Sequence, residues 1–154
     1  MNSLFNKIMD AKRKRLFFGY KSLYRNILEI REKDLDSIEE KYHFSFPEDV
    51  KTALIAMGSC TVADELNLHQ PREIYPLGES DSYIDGFFVF ASDTDGNYFL
   101  FNPENDSEEI YFYCHDPLGV CVIGSSFVEL LEKFVENKFS FDGLIQYDQL
   151  QQFK

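Results

Sequence analysis

Two short segments constrain the fold of this chain more than any other feature: Phe87-Phe88-Val89-Phe90-Ala91 and Tyr98-Phe99-Leu100-Phe101 are apolar at every position. Side chains along a strand alternate between the two faces of its sheet, so a strand apolar throughout must be covered on both faces and belongs in the sheet's interior. Between these segments lies Ser92-Asp93-Thr94-Asp95-Gly96-Asn97, composed of residues that favour tight turns. The pattern predicts a central hairpin over residues 87–101.

Other strand patterns flank this hairpin. Ile110-Tyr111-Phe112-Tyr113-Cys114 alternates, with Ile110, Phe112 and Cys114 on one face and the two tyrosines on the other. Val120-Cys121-Val122-Ile123 closes the series after Pro117 and Gly119, and Ile74-Tyr75-Pro76-Leu77 reads as a short strand whose proline suits an edge. The β-patterns begin after a polar stretch from Ser59 to Glu73.

Helical signals surround the sheet. Asp34 is placed as an N-cap, and Leu35, Ile38 and Tyr42 share one face of a helix over about 34–43. Pro47 stands at a first helical position, followed by Glu48 and Asp49, with Val50, Leu54 and Met57 as the apolar stripe and Gly58 as the stop, giving a helix over 47–57. Ser126 and Glu129 have capping-box spacing, and Phe127, Leu130, Leu131 and Phe134 form the buried face of a helix over 126–137, with Asn137 as its C-cap. Leu144, Ile145, Tyr147, Leu150 and Phe153 suggest a short helix or a docked tail. Near the N-terminus, Leu4, Phe5, Ile8 and Met9, then Leu16, Phe17, Tyr20, Leu23, Tyr24, Ile27 and Leu28, fit two short amphipathic helices broken at Gly19. The expected fold is a single α+β domain, an antiparallel-rich sheet with helices packed against one face. A basic helical extension over residues 1–27 precedes the domain proper at 28–154.

Charge is divided sharply along the chain. Residues 1–33 hold nine of the 15 Lys and Arg and three of the 27 Asp and Glu, for +6, so the remaining 121 residues carry −18 and the whole chain −12. Such a body repels nucleic acid and anionic membrane and accelerates encounter with a basic protein. Lys12-Arg13-Lys14-Arg15 is either a patch for nucleic acid or membrane, a solvated helix face, or a clasp onto the acidic body. Three cysteines without a pairing motif argue against a disulfide framework, and no apolar run is long enough to cross a bilayer or form a signal sequence. A cytoplasmic protein made without a leader is expected.

No catalytic constellation emerges. Asp93-Thr94-Asp95-Gly96-Asn97 has some of the residues of a calcium loop, but its glycine is fourth where the sixth position is required, and strands flank it instead of helices. Cys114, His115 and Cys121 fall short of a four-ligand zinc pattern, and the cysteines alternate onto apolar faces as small buried hydrophobes. His43 and His69 stand in separate contexts, and there is neither a nucleophile elbow nor a glycine-rich phosphate loop. No metal, cofactor or catalytic residue is assigned.

Several of these motifs, in this order, resemble the SUKH superfamily of Smi and Knr type proteins. Leu35-Asp36-Ser37-Ile38-Glu39-Glu40-Lys41-Tyr42 and Phe46-Pro47-Glu48-Asp49-Val50 are similar to the family's first helix and its turn into a second. Met57-Gly58 stands where an asparagine and glycine pair is common. Phe88 to Asp93 with Gly96 to Phe101 is similar to the family hairpin, and Ser125 to Leu131 to its closing helix start, so the resemblance spans about residues 28–136. It implies an α+β domain that works by binding. Bacterial members commonly neutralise the toxin of a polymorphic toxin system, often a nuclease or deaminase, and fungal relatives act as intracellular scaffolds. The charge agrees, because enzymes acting on nucleic acid have basic clefts that an acidic inhibitor can occupy. The expected function is an immunity protein that binds a basic toxin domain. The alternatives are a regulatory scaffold without a toxin partner and an enzyme of unrecognised type. The acids placed at the interface are Asp81, Asp85, Asp93 and Asp95, on the loops between the first β-element and the hairpin turn.

Overall fold

The computed structural model describes residues 2–15, 17, 19–79 and 86–151. In chain order the elements are α1 (Asn2–Met9), β1 (Lys12–Lys14), β2 (Tyr20–Ser22), β3 (Tyr24–Leu28), α2 (Glu32–Tyr42), α3 (Glu48–Met57), β4 (Ser59–Val62), β5 (Leu66–Leu68), β6 (Tyr75–Pro76), β7 (Phe88–Ser92), β8 (Tyr98–Phe101), β9 (Ile110–His115), β10 (Leu118–Gly124) and α4 (Phe127–Glu136). Eight of the strands form one antiparallel sheet in the order β10-β9-β8-β7-β5-β4-β3, with β6 pairing to β7 off this path, and β1 and β2 form a separate ribbon. The α+β class and the interior position of the 87–101 hairpin are as the apolar strands require.

Each strand of that hairpin divides its side chains between two cores. Phe88, Phe90, Phe99, Phe101, Ile110 and Phe112 join the larger one with Val50, Leu54 and Met57 of α3 and Phe127, Leu130, Leu131 and Phe134 of α4. Phe90 meets Phe127 edge to face, with ring centroids 5.0 Å apart. On the opposite face Val89, Leu100 and Tyr113 are buried with Leu77, and Tyr75, Phe87, Tyr98 and Tyr111 pack around them. The second face is therefore covered by the chain leading into β7 instead of by a helix. Pro76 lies in a two-residue strand that pairs with β7, consistent with the edge position its missing N–H demands.

The N-terminal segment departs from expectation. Its first helix forms, with Phe5 and Ile8 fully buried in the main core against α3 and α4, but in place of the second the described residues form β1, β2 and β3. Of the residues read at helical spacing, Tyr20 lies on β2 and Tyr24, Ile27 and Leu28 on β3, the edge strand paired with β4, while Leu16 lies outside the described residues. The boundary expected between residues 27 and 28 falls inside β3, which runs from Tyr24 to Leu28. The polar stretch 59–73 also holds two strands. Ala63 and Asp64 both have positive φ (55° and 56°), and the Glu65 N–H donates to Val62 C=O at 3.0 Å, closing a type I′ turn that joins β4 to β5.

Helix ends follow their capping chemistry with three differences. Pro47, expected at the first helical position, is the N-cap of α3, with φ −53° and ψ 135°. Arg31 occupies the N-cap position of α2, and Asp34 lies inside the helix at N3, where its carboxylate accepts the Arg31 N–H at 2.9 Å. At α4, the Ser126 hydroxyl accepts the Glu129 N–H at 3.1 Å, but the Glu129 carboxylate turns to the Ser125 hydroxyl and to Lys133 instead of completing the reciprocal bond. Asn137 is the C-cap as expected. The final segment docks as a tail: Gln151 exchanges two backbone hydrogen bonds with Val120 (2.9 and 3.2 Å), covering part of the β10 edge. All three cysteines are buried and free, and burial pushes the Cys60 thiol up to about 12.

Candidate functional site

Three loops converge at one end of the sheet to form an acidic pocket. The β4–β5 turn brings Glu65, the β7–β8 turn brings Asp93, Thr94 and Asp95, and the loop after α4 brings Phe141 and Asp142 with Tyr147 beyond it. The pocket has a volume of about 170 Å³, and no Lys or Arg is among its lining residues. Among the described residues, none of its four carboxylates is in an ion pair.

The β7–β8 turn is rigid because Asp93 is consumed by it. The backbone of Asp93 and Asn97 closes the hairpin at 3.0 Å. The Asp93 Oδ1 accepts from the N–H groups of Asp95 and Asn97, both at 2.9 Å, and its Oδ2 accepts from the Asn97 side-chain amide at 3.0 Å. Gly96 supplies the positive φ (83°) that the turn requires. Asn97, itself buried, then ties the turn to the end of β9, its Oδ1 accepting the His115 N–H at 3.2 Å and lying 2.8 Å from His115 Nδ1. This accounts for the acidic glycine turn without any ion, and among the described residues no group of three or more His, Cys, Asp or Glu is placed to hold a metal.

The other wall is set by the end of α4. Lys138 and Phe139 follow the C-cap with positive φ, reversing the chain, and the Asn137 side-chain amide donates to the carbonyls of both Ser140 and Asp142 at 2.8 Å. Phe141 anchors the loop in the core, stacked on Phe134 at 4.4 Å and against Phe99 at 5.1 Å. Asp142 is thereby held exposed beside the β7–β8 turn.

The acidic groups of the pocket bear on one another's protonation. Burial, and then the charges of Asp142, Asp93 and Asp95, raise the Glu65 carboxyl above its ordinary value. The Tyr147 phenol is likewise raised, first by burial, then by Cys114 and the three aspartates. Anionic groups that burden one another in this way are relieved by a cation, and the apolar rims of Phe141, Ile145 and Tyr147 suit the aliphatic stem of a lysine or arginine.

Of the acids expected at an interface, Asp93 and Asp95 lie in this pocket, with Asp95 exposed and Asp93 engaged by the turn. Asp81 and Asp85 lie outside the described residues. Gly86, the first described residue after them, begins the approach to β7 at the end opposite Asp93, roughly 20 Å away along an extended chain. Glu65 and Asp142 were not anticipated. They reach the pocket through a type I′ turn lacking Asn-Gly or Asp-Gly and through a loop fixed by Asn137, so sequence spacing alone does not bring them to Asp95. The one available signal was Asn137 itself.

A family model described as the SMI1 / KNR4 family (SUKH-1) matches residues 29–133, more than half of the chain. The chain belongs to the SMI1/KNR4 (SUKH-1) family. Comparisons with curated proteins and with solved structures gave no match. The SUKH-1 match takes in α2, α3 and the central hairpin, and leaves α1, the β1–β2 ribbon, β3 and the Asp142 loop outside it. Among the described residues, no helix is long and apolar enough to cross a membrane.

Proposed function

We propose that this SUKH-1 protein is a non-enzymatic immunity protein that neutralises a basic toxin domain, its acidic pocket receiving a lysine or arginine of that partner. The carrying observation is the pocket of Glu65, Asp93, Asp95 and Asp142, four carboxylates in no ion pair among the described residues and presented on rigid turns. The −18 body adds long-range steering toward the same kind of partner. A nuclease-type toxin fits best, since its substrate-binding cleft is basic and occupation of that cleft blocks access sterically.

Asp95 and Asp142 make the direct contacts in this reading, because both are exposed. Glu65 and Asp93 shape the pocket and its field. The test is to express the product of the gene adjacent to this one with and without the protein. Protection from growth arrest and co-purification of a stoichiometric complex support the reading. If no adjacent product is toxic or binds, the protein is better read as a SUKH-family regulatory scaffold.

A further inference from the structure

Among the described residues, none of Lys12, Arg13, Lys14 and Arg15 is in an ion pair with the acidic body. Arg13 and Lys14 of β1, Arg15 just after it, Lys21 of β2 and Arg25 of β3 instead line one pocket of about 200 Å³. Arg13 and Lys21 are directly opposed in the β1–β2 register, an arrangement in which like charges oppose strand pairing. The one ion pair these cations make among the described residues is Lys21 with Asp64 at 4.0 Å, between side chains that are 56% and 84% exposed. Such a contact contributes little. A two-stranded ribbon is marginal on its own, and this one concentrates charge against its own formation.

We propose that this pocket binds a compact oligophosphate anion, a di- or triphosphate group. A bound anion supplies the counter-charge that the fold withholds. Arg13, Arg15 and Arg25 carry planar donor forks matched to phosphoryl oxygens, and Ser22 and Thr61 line the same pocket. Arg13 and Lys21 share one face of the ribbon while Lys14 alternates to the other, and Arg13 and Lys21 with Arg15 and Arg25 still outweigh the single carboxylate of Asp64 by more than one phosphate neutralises, which favours adjacent phosphoryl groups. The ligand is compact because the pocket is small and the −18 body surrounding it repels an extended polyanion. The cations of the site lie on β1, directly after it, and on β2 and β3, all of which precede the SUKH-1 match at residues 29–133, and they share none of the carboxylates of the acidic pocket.

Titration calorimetry of the full chain with inorganic triphosphate tests the assignment. One site per chain is expected, weakening steeply with salt, and weakened by about tenfold or more in Arg13→Gln with Lys21→Gln. Arg25→Gln, on a strand anchored in the main sheet, should weaken it similarly without touching the ribbon. The thermal midpoint of the unliganded double variant should equal or exceed that of the parent, since opposed charges are removed, an outcome a purely structural role would not give. Adenosine triphosphate beside inorganic triphosphate separates two sources of the same chemistry. Tighter nucleotide binding shows that the nucleoside adds contacts beyond the phosphates, and equal affinity confines recognition to the phosphates. Absence of triphosphate binding, binding undiminished in the variants, or preference for duplex DNA or anionic vesicles over triphosphate would overturn the proposal.

Discussion

Glu39 grips Lys51 across the junction of α2 and α3: its Oε1 lies 2.7 Å from the Lys51 ammonium, while its Oε2 accepts the Phe46 N–H at 2.8 Å. Lys51 also reaches Asp36 at 2.8 Å. One carboxylate thus fixes both the turn and the helix after it. The two bonds are unequal in consequence, because the ammonium keeps a second acid and partial solvent access, whereas the Phe46 N–H is left without an acceptor if Glu39 is removed. Glu39→Ala is expected to cost about 1–3 kcal/mol and Lys51→Ala about 1 kcal/mol or less. Urea unfolding of both variants checks the order, and a larger loss in Lys51→Ala would show that the ion pair dominates.

Phe127, the first residue of α4, is fully buried and packs edge to face on Phe90. Phe127→Ala should destabilise the domain by about 3–5 kcal/mol, through lost apolar burial and the cavity left behind. An unchanged thermal midpoint would contradict the docking of α4.

Gly58 ends α3 with φ 71° and ψ −171°, a conformation suited to glycine. A Cβ there would stand 2.6 Å from the Leu28 carbonyl oxygen and 2.7 Å from the Asn26 side-chain nitrogen. Asn26 in turn donates to the Met57 carbonyl at 3.1 Å, so the glycine allows the edge strand β3 to close over the helix end. Gly58→Ala should cost about 1–3 kcal/mol from the backbone alone, with the clash adding to it. Hydrogen exchange should show β3 amides losing protection first. If β3 amides stay protected while stability falls, the clash is absorbed elsewhere.

Glu65 makes a pH-dependent contribution of defined sign. Its carboxyl is raised in the folded protein, by burial first and then by Asp142, Asp93 and Asp95. The folded state therefore holds that proton more tightly than the unfolded chain does. The resulting stabilisation is complete below the unfolded carboxylate value and is lost as pH rises through the folded one. Glu65→Gln should raise the thermal midpoint at neutral pH, with the difference shrinking as pH falls through the carboxylate range. A variant less stable than the parent at pH 7 would mean that the hydrogen bond from the Phe141 N–H to the Glu65 carboxylate outweighs its burial and the neighbouring charges.

Fold class, the central hairpin and three helices were legible because each is specified locally. Continuous apolarity places β7 and β8 inside the sheet, and Ser126 and Pro47 mark helix starts through their own chemistry. The missed elements depend on their surroundings. β3 spans Tyr-Arg-Asn-Ile-Leu, which fits either a helix or an edge strand, and pairing with β4 decides it. The β4–β5 turn places Ala63 and Asp64 at positive φ without the glycine that usually signals it. The pocket was half legible for the same reason: Asp93 and Asp95 announce themselves in a turn, whereas Glu65 and Asp142 arrive by tertiary packing.

The central claim is that the acidic pocket contacts a basic partner instead of merely steering it. The most direct measurement is the association and dissociation rates of the adjacent gene's product with the parent protein, with Asp95→Asn plus Asp142→Asn, and with Glu40→Gln on the exposed face of α2. The pocket variant should dissociate at least about tenfold faster, while Glu40→Gln should slow association slightly and leave dissociation unchanged. Equal dissociation rates for the parent and the pocket variant would contradict the account.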